Sequence, residues 1–257
     1  MTTQDFIFDL PLYAQVKLSD NPNILKDLCT YGISVDGYNC IKNADSTFKL
    51  EDEIESNFLG KYATKLVRFV CQRYNHSVYV LVFIDQIHDI IEKVGQFPSV
   101  ADIHIAQVKQ YKKVLGESYI RDFTKAIGLA ANGIGTGSFV YLRRVFEHLV
   151  TEIADETIKK GEIDKTQFET SKMDNKLKLL SSHLPDVITE NKSLYGILSA
   201  GIHTLSEEDC LKFFSVVREV IELILDDREY ERQREVKKKN AQNKLSVAVG
   251  EIKKAVE

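Results

Sequence analysis

Gly133-Ile-Gly-Thr-Gly-Ser-Phe-Val-Tyr-Leu-Arg-Arg-Val-Phe-Glu147-His-Leu-Val150 decides how this chain is read. A glycine-rich turn feeds a helix, because Leu142, Phe146, Leu149 and Ile153 recur in steps of four, three and four on one stripe. Arg143 and Glu147, four apart, share a flank beside that stripe, with Arg144 next to them. Upstream the texture is that of strands. Downstream it is that of helices built to pack against this one.

The upstream strands announce themselves by composition. Ser46-Thr-Phe-Lys-Leu50, Leu66-Val-Arg-Phe-Val-Cys71 and Ser77-Val-Tyr-Val-Leu-Val-Phe83 are rich in β-branched and aromatic residues. The last two flank Gln72-Arg-Tyr-Asn75, a hairpin loop. Asp36-Gly37 and Asn21-Pro22-Asn23 read as turns, and Ile24 to Leu28 as one helical turn. A small antiparallel sheet over roughly residues 30–90 is expected. Cys40 on one side, with Cys71 and His76 on the other, stand where a zinc ribbon places its two knuckles. A structural zinc needs four ligands, commonly in pairs, and only these three weak candidates are present. A ribbon-like sheet without metal is the favoured reading.

Downstream, Ser99-Val-Ala-Asp102 has capping-box spacing and opens a helix that Gly116 ends. A second helix runs from Glu117 to Ala131, with Tyr119, Phe123, Ile127 and Ala130 on one face and Asn132-Gly133 as its stop. The helix carrying Arg143 is expected to reach Lys160 and stop at Gly161. Another amphipathic helix covers Ser171 to Leu180, closed by Leu184-Pro185. Asn191 or Ser193 caps a short helix through Ser199, with Gly201 as terminator. Ser206 and Asp209 form a second capping box, opening a long helix with Leu211, Phe214, Val217, Ile221 and Ile224 inward. That helix runs on as a polar segment, and Leu245, Val249, Ile252 and Val256 then repeat at four, three and four.

Charge divides the chain. Residues 228–257 hold nine Lys/Arg against five Glu, a net of +4, so residues 1–227 carry −8 of the overall −4. An acidic body with a basic tail argues against a nucleic-acid footprint over the whole surface and leaves room for a local one. There is no apolar run of about 18 residues, and the first residues lack the pattern of a signal peptide. Four cysteines without a C-x-x-C pair suit a reducing cytoplasm.

No complete catalytic motif is present. Gly133, Gly135 and Gly137 precede a helix N-terminus, where backbone N–H groups bind anions. However, the segment before them is helical and no Lys-Ser/Thr follows, so a tight interhelical turn is the better reading. An i,i+4 Arg–Glu pair is most often a modest salt bridge. His203, between the helix stop and the second capping box, is the most interesting titratable residue.

The helical half, over about residues 120–227, resembles the HEPN superfamily. The resemblance rests on the Ala-rich helix, the Gly-containing turn, Leu142-Arg143-Arg144-x-x-Glu147 and the elbow Gly201-Ile-His203. It implies a compact helical bundle that commonly dimerises, often a metal-independent RNase in bacterial defence and often preceded by a zinc-ribbon-like module. His203 then matches the family histidine and Glu147 its polar partner. The family arginine has no counterpart in residues 197–202, and Arg143 or Arg144 would have to substitute from the adjacent helix.

The expectation is an α+β protein, mostly α. Residues 1–95 form a degenerate ribbon-like module, 96–227 a HEPN-like bundle and 228–257 a basic helical tail. Its leading expected function is non-catalytic binding of RNA, a nucleotide or a protein partner, in bacterial defence or a toxin–antitoxin pair, as a cytoplasmic homodimer without cofactor or metal. An RNase using His203 with Arg143 or Arg144, and a scaffold acting through its tail, are the rivals.

Overall fold

Residues 1–55, 60–190 and 193–256 are described by the computed structural model, with side chains described over the same residues except 193–194, 202 and 250–256. The chain is α+β and mostly α: a six-stranded antiparallel sheet, a helical bundle and one long C-terminal helix.

The first half runs α1 (Thr3–Phe8), β1 (Val16–Lys17), α2 (Pro22–Leu28), β2 (Ser34–Asn39), β3 (Ala44–Asp52), β4 (Tyr62–Cys71), β5 (Ser77–Asp85) and β6 (Ile90–Phe97). The strand order is β1-β6-β5-β4-β3-β2, so β2 to β6 form a meander and β1 adds to its edge. The three expected strands and the Gln72–Asn75 loop are there, but the sheet is twice as wide as the sequence suggested. Two strands were hidden by their content. Asp36-Gly37 lies inside β2 rather than at a turn, paired with Thr47 and Ser46. Gly37 is needed there because a Cβ would overlap the Phe8 ring. In β6 the inward position after Ile91 is Lys93, fully buried, which breaks the apolar alternation.

One face of the sheet carries Phe48, Leu50, Val67, Phe69, Val80, Val82, Ile84 and Ile91, and this face packs with Phe6, Ile7, Phe8, Ile24 and Leu28 of α1 and α2. Helix α3 (Val100–Val108) follows β6 through the Ser99–Asp102 capping box, and its Ile103 enters the same core.

The helical half has its own core. After a 3₁₀ turn at Lys109–Tyr111 comes α4 (Lys112–Ala131), interrupted by the non-helical Gly116, as the sequence indicated. Gly133, at φ +78°, reverses the chain, and α5 (Gly135–Lys159) buries Phe139, Leu142, Phe146, Leu149, Val150 and Ile153. Then come α6 (Lys165–Thr170), α7 (Met173–Leu179), α8 (Asp186–Glu190), α9 (Ser193–His203) and α10 (Glu207–Val256). Asn191, one proposed cap, lies outside the described residues. Helix α9 does not stop at Ser199. It continues through Gly201, whose missing side chain serves contact rather than termination, since a Cβ would overlap the Phe139 ring on α5.

Helix α10 is capped at Ser206–Asp209 as expected and runs unbroken past residue 227. At about 1.5 Å per residue it is roughly 75 Å long. Phe214, Val217, Ile221, Ile224 and Leu225 enter the helical core, whereas every side chain from Gln233 to Val249 is exposed. The side chains of Ile252 and Val256, the end of the expected stripe, lie outside the described residues. No helix among the described residues is long and apolar enough to cross a membrane.

Candidate functional site

The anion cradle suggested by the glycines is filled from within. Glu207, in the first turn of α10, accepts hydrogen bonds through Oε2 from the backbone N–H of Gly135 and of Thr136, the latter at 3.0 Å. A carboxylate at a helix N-terminus is favoured by the unpaired N–H groups and the macrodipole. These bonds, the one from Thr136 foremost, hold the Glu207 carboxyl below its usual range. A Cβ on Gly135 would overlap the Glu207 carbonyl and the Cys210 side chain, so α10 and α5 meet here through glycine.

Arg143 and Glu147 are joined as expected, and a third residue completes them. Arg143 donates from Nε to Glu147 Oε1 at 2.8 Å and from Nη2 to the Tyr195 hydroxyl of α9 at 2.8 Å. The Tyr195 hydroxyl donates in turn to Glu147 Oε1 at 3.1 Å, and the guanidinium lies 5.3 Å from the Tyr195 ring centroid. The bonded Glu147 carboxylate raises the Arg143 pKa, while burial, helped by Glu147, raises that of the Tyr195 phenol. Every strong group in this triangle has a partner. Arg144 points the other way, its Nη2 3.1 Å from Asp122 Oδ2 on α4, a carboxylate that is 5% exposed. Beside it, the His148 ring stacks on Tyr119 at 3.5 Å and its Nε2 lies 3.4 Å from Glu152 Oε1. Burial lowers the His148 pKa, with Glu152 opposing.

His203 is not part of this cluster. Helix α9 runs antiparallel to α5, with Tyr195 against Arg143 and Glu147 and Gly201 against Phe139. His203 is therefore eight residues, about 12 Å along the helix, beyond the residue that meets Arg143. Its side chain is exposed. The structure thus brings Arg143 and Glu147 together, gives Arg144 to Asp122, and leaves His203 at the far end of α9.

Cys40, Cys71 and His76 do converge on the β2–β3 and β4–β5 turns, but Asn39 stands among them. Its side-chain amide lies 3.4 Å from His76 Nδ1, and its side chain also bonds the Cys71 thiol. Burial raises the Cys71 pKa, but bonds from Asn39, the Arg73 and Tyr74 backbone and Ser46 outweigh it and leave the thiol below its usual value. No group of three or more His, Cys, Asp or Glu side chains among the described residues is placed to hold a metal ion.

A constellation that sequence reasoning missed lies where sheet and bundle meet. Arg218 and Glu222, one turn apart on α10, approach to 3.1 Å and stand in a cleft of about 700 Å³ with Tyr38, Asp45, Gln107 and Lys109. Tyr111 donates to Asp226 at 2.6 Å, and burial together with that bond pushes its phenol far above the usual range. On the other side of Arg218, His104 Nε2 lies 3.1 Å from Asp9. Burial lowers the His104 pKa, with Asp9 opposing and Arg218 and Lys93 reinforcing. Deeper still, Lys93 donates from Nζ to the Ile7 carbonyl at 3.0 Å and to Gln96 Oε1 at 2.8 Å, and burial brings its pKa down to about 7. The available signal was the i,i+4 Arg218–Glu222 pair directly beside the buried Val217 and Ile221.

No protein-family model, curated protein or solved structure matches this chain.

Proposed function

We propose that this chain is a non-catalytic binding module of HEPN-like architecture that engages a macromolecular partner through its C-terminal helix. The supporting observation is α10 itself. A single helix is rooted in the bundle by its first half, while further along residues 233–249 are exposed on every side and hold five Lys/Arg against one Glu. A helix this polar and this long, with no core of its own, is suited to bridge to something else. The bundle is the base and the helix is an arm. The defence or toxin–antitoxin setting belongs to the same proposal, on the strength of the resemblance alone.

Catalysis is set aside because of how the candidates are engaged. A metal-independent nuclease needs a cation free to meet the developing phosphorane charge and a base beside it. Here Arg143 is saturated by Glu147 and Tyr195, and His203 lies two turns further along α9. The test is direct. The purified chain is incubated with single-stranded and hairpin RNA, alongside Arg143→Ala and His203→Ala. Intact RNA in all three is the expected result. Cleavage that disappears in either variant would restore the nuclease reading.

A further inference from the structure

Beyond the two cores, the sheet carries apolar surface that neither of them uses. On the face turned away from α1, α2 and α3, Leu66 pairs across the ladder with Leu81, and Leu81 with Gly95. The neighbouring rows place Tyr79 beside Phe97, and Tyr62 at the end of β4. Tyr62 is 56% exposed, Leu66 57%, Tyr79 39% and Phe97 67%, and none of them belongs to either core cluster. A one-sided antiparallel sheet ordinarily turns polar residues to solvent. A contiguous apolar patch in their place marks an interaction surface, and no described residue covers this one.

A second apolar surface, on the arm, has no partner among the described residues. Ala241, Leu245, Ala248 and Val249 share one side of α10, with Leu245 66% and Val249 44% exposed. In the sequence Ile252 and Val256 continue the stripe. The two surfaces match in size. From Ala241 to Val256 the helix covers about 23 Å at 1.5 Å per residue, and the exposed stretch of β4 from Tyr62 to Arg68 covers about 20 Å at 3.3 Å per residue. A helix about 10 Å across spans roughly two strand spacings of about 4.8 Å.

They also match in charge. Residues 237–254 hold six Lys against one Glu. The outer face of the sheet carries Asp36, Asp45, Glu51, Asp52 and Glu92 against Lys17, Lys49 and Arg68, and Arg68 is already held by Asp52 at 2.6 Å and Glu51 at 3.4 Å. The arm cannot reach its own sheet, because α10 is one unbroken helix whose first half is fixed in the bundle core.

The geometry points to a reciprocal homodimer in which the arm of each copy lays its Leu245–Val249 stripe across the outer sheet face of the other. This rests on the binding reading above and names the partner as a second copy of this chain. Lys residues flanking the stripe meet the acidic rim of the face, so the association weakens as salt screens them.

The experiment is sedimentation velocity on the full chain with two variants, Leu66→Glu and Leu245→Glu/Val249→Glu. Both change exposed side chains, and circular dichroism verifies that each stays folded. The native chain is expected to be dimeric, with each variant weakening association by about 100-fold or more, as the loss of buried Leu and Val side chains dictates. Mixing the two variants is decisive. The intact arm of one meets the intact face of the other, so heterodimer reappears from two monomeric samples. A native monomer, a dimer indifferent to both variants, or a loss in Leu66→Glu alone overturns the proposal; the last outcome gives the face a different occupant. RNA cleavage would remove the non-catalytic reading without touching the mixing result, so the two failures are distinguishable.

Discussion

Two polar clusters sit at seams of this molecule and differ in what surrounds them. The Arg143–Glu147–Tyr195 triangle joins α5 to α9 at the surface, with the Arg143 side chain 25% and the Glu147 side chain 37% exposed. The Lys93–Asp9–His104–Arg218 series joins the sheet to the bundle and runs inward from an exposed Asp9 to a fully buried Lys93. In the triangle the three groups keep water close and share three hydrogen bonds, two to each, so charge costs little. In the seam, Lys93 has only neutral oxygens as hydrogen-bond partners, and burial dominates its ionisation. A polar contact holds a surface seam whatever the pH, whereas a buried one makes the seam a titrating element.

The sharpest way to break the triangle does not touch it. Gly201 sets how closely α9 lies on α5, since a Cβ there would overlap the fully buried Phe139 ring. Overpacking of this kind costs about 3 kcal/mol, against a helix-propensity gain of about 1 kcal/mol for replacing glycine by alanine. Gly201→Ala is therefore expected to destabilise the chain by about 2 kcal/mol. Gly196 lies on the same helix, is exposed, and a Cβ there meets nothing within 4 Å. Gly196→Ala is expected to stabilise by up to about 1 kcal/mol. Urea titration of both variants checks the opposite signs, and a loss at both positions would mean that close approach is not the reason for Gly201.

The same residue shows where the sequence stopped being legible. The strands β3, β4 and β5, the capping boxes at Ser99 and Ser206, and the break at Gly116 all follow from local chemistry and were readable. Gly201 has an ordinary helix-stopping appearance, and only Phe139, sixty-two residues earlier, makes it a packing residue. Asp36-Gly37 looked like a turn for the same reason, because the Phe8 ring that needs the glycine is remote in sequence. Within the site, Arg143–Glu147 was visible as an i,i+4 pair, but Tyr195 was not, since nothing local fixes where α9 lies. The seam was hidden more deeply. Lys93 in a strand reads as an outward residue until the sheet parity places it beside Ile91, facing α1.

The seam is tested by pH rather than by truncation. Burial brings the Lys93 pKa from its ordinary 10.5 down to about 7, so between those values the unfolded chain holds a proton that the folded chain has released. Stability therefore rises with pH across that window, by about 1.4 kcal/mol per unit where the difference is complete. Below about pH 7 the penalty is fully present and constant. Lys93→Met keeps the length of the side chain, removes the titration and is expected to flatten the slope between about pH 7.5 and about pH 9.5. Denaturant unfolding at several pH values measures it. An unchanged slope in the variant would mean that Lys93 is not the group responsible.

The triangle should show the smallest effect, and one that responds to salt rather than to pH. Arg143→Ala removes one charge-assisted bond and one neutral-partner bond at a part-exposed site, for which about 0.5–1 kcal/mol is expected. Tyr195→Phe keeps the ring beneath the guanidinium and loses only the hydroxyl, for about 0.5 kcal/mol. Because both bonds share Glu147 Oε1 as their focus, the double variant should cost less than the sum of the two, with a coupling of about 0.5 kcal/mol. Salt decides what holds the triangle. If the charge-assisted bond dominates, the Arg143→Ala cost shrinks as ionic strength rises while the Tyr195→Phe cost stays level. Two costs that fall together would make the hydroxyl a relay of the same charge, and two that hold steady would assign α9's attachment to Gly201 and Phe139 alone.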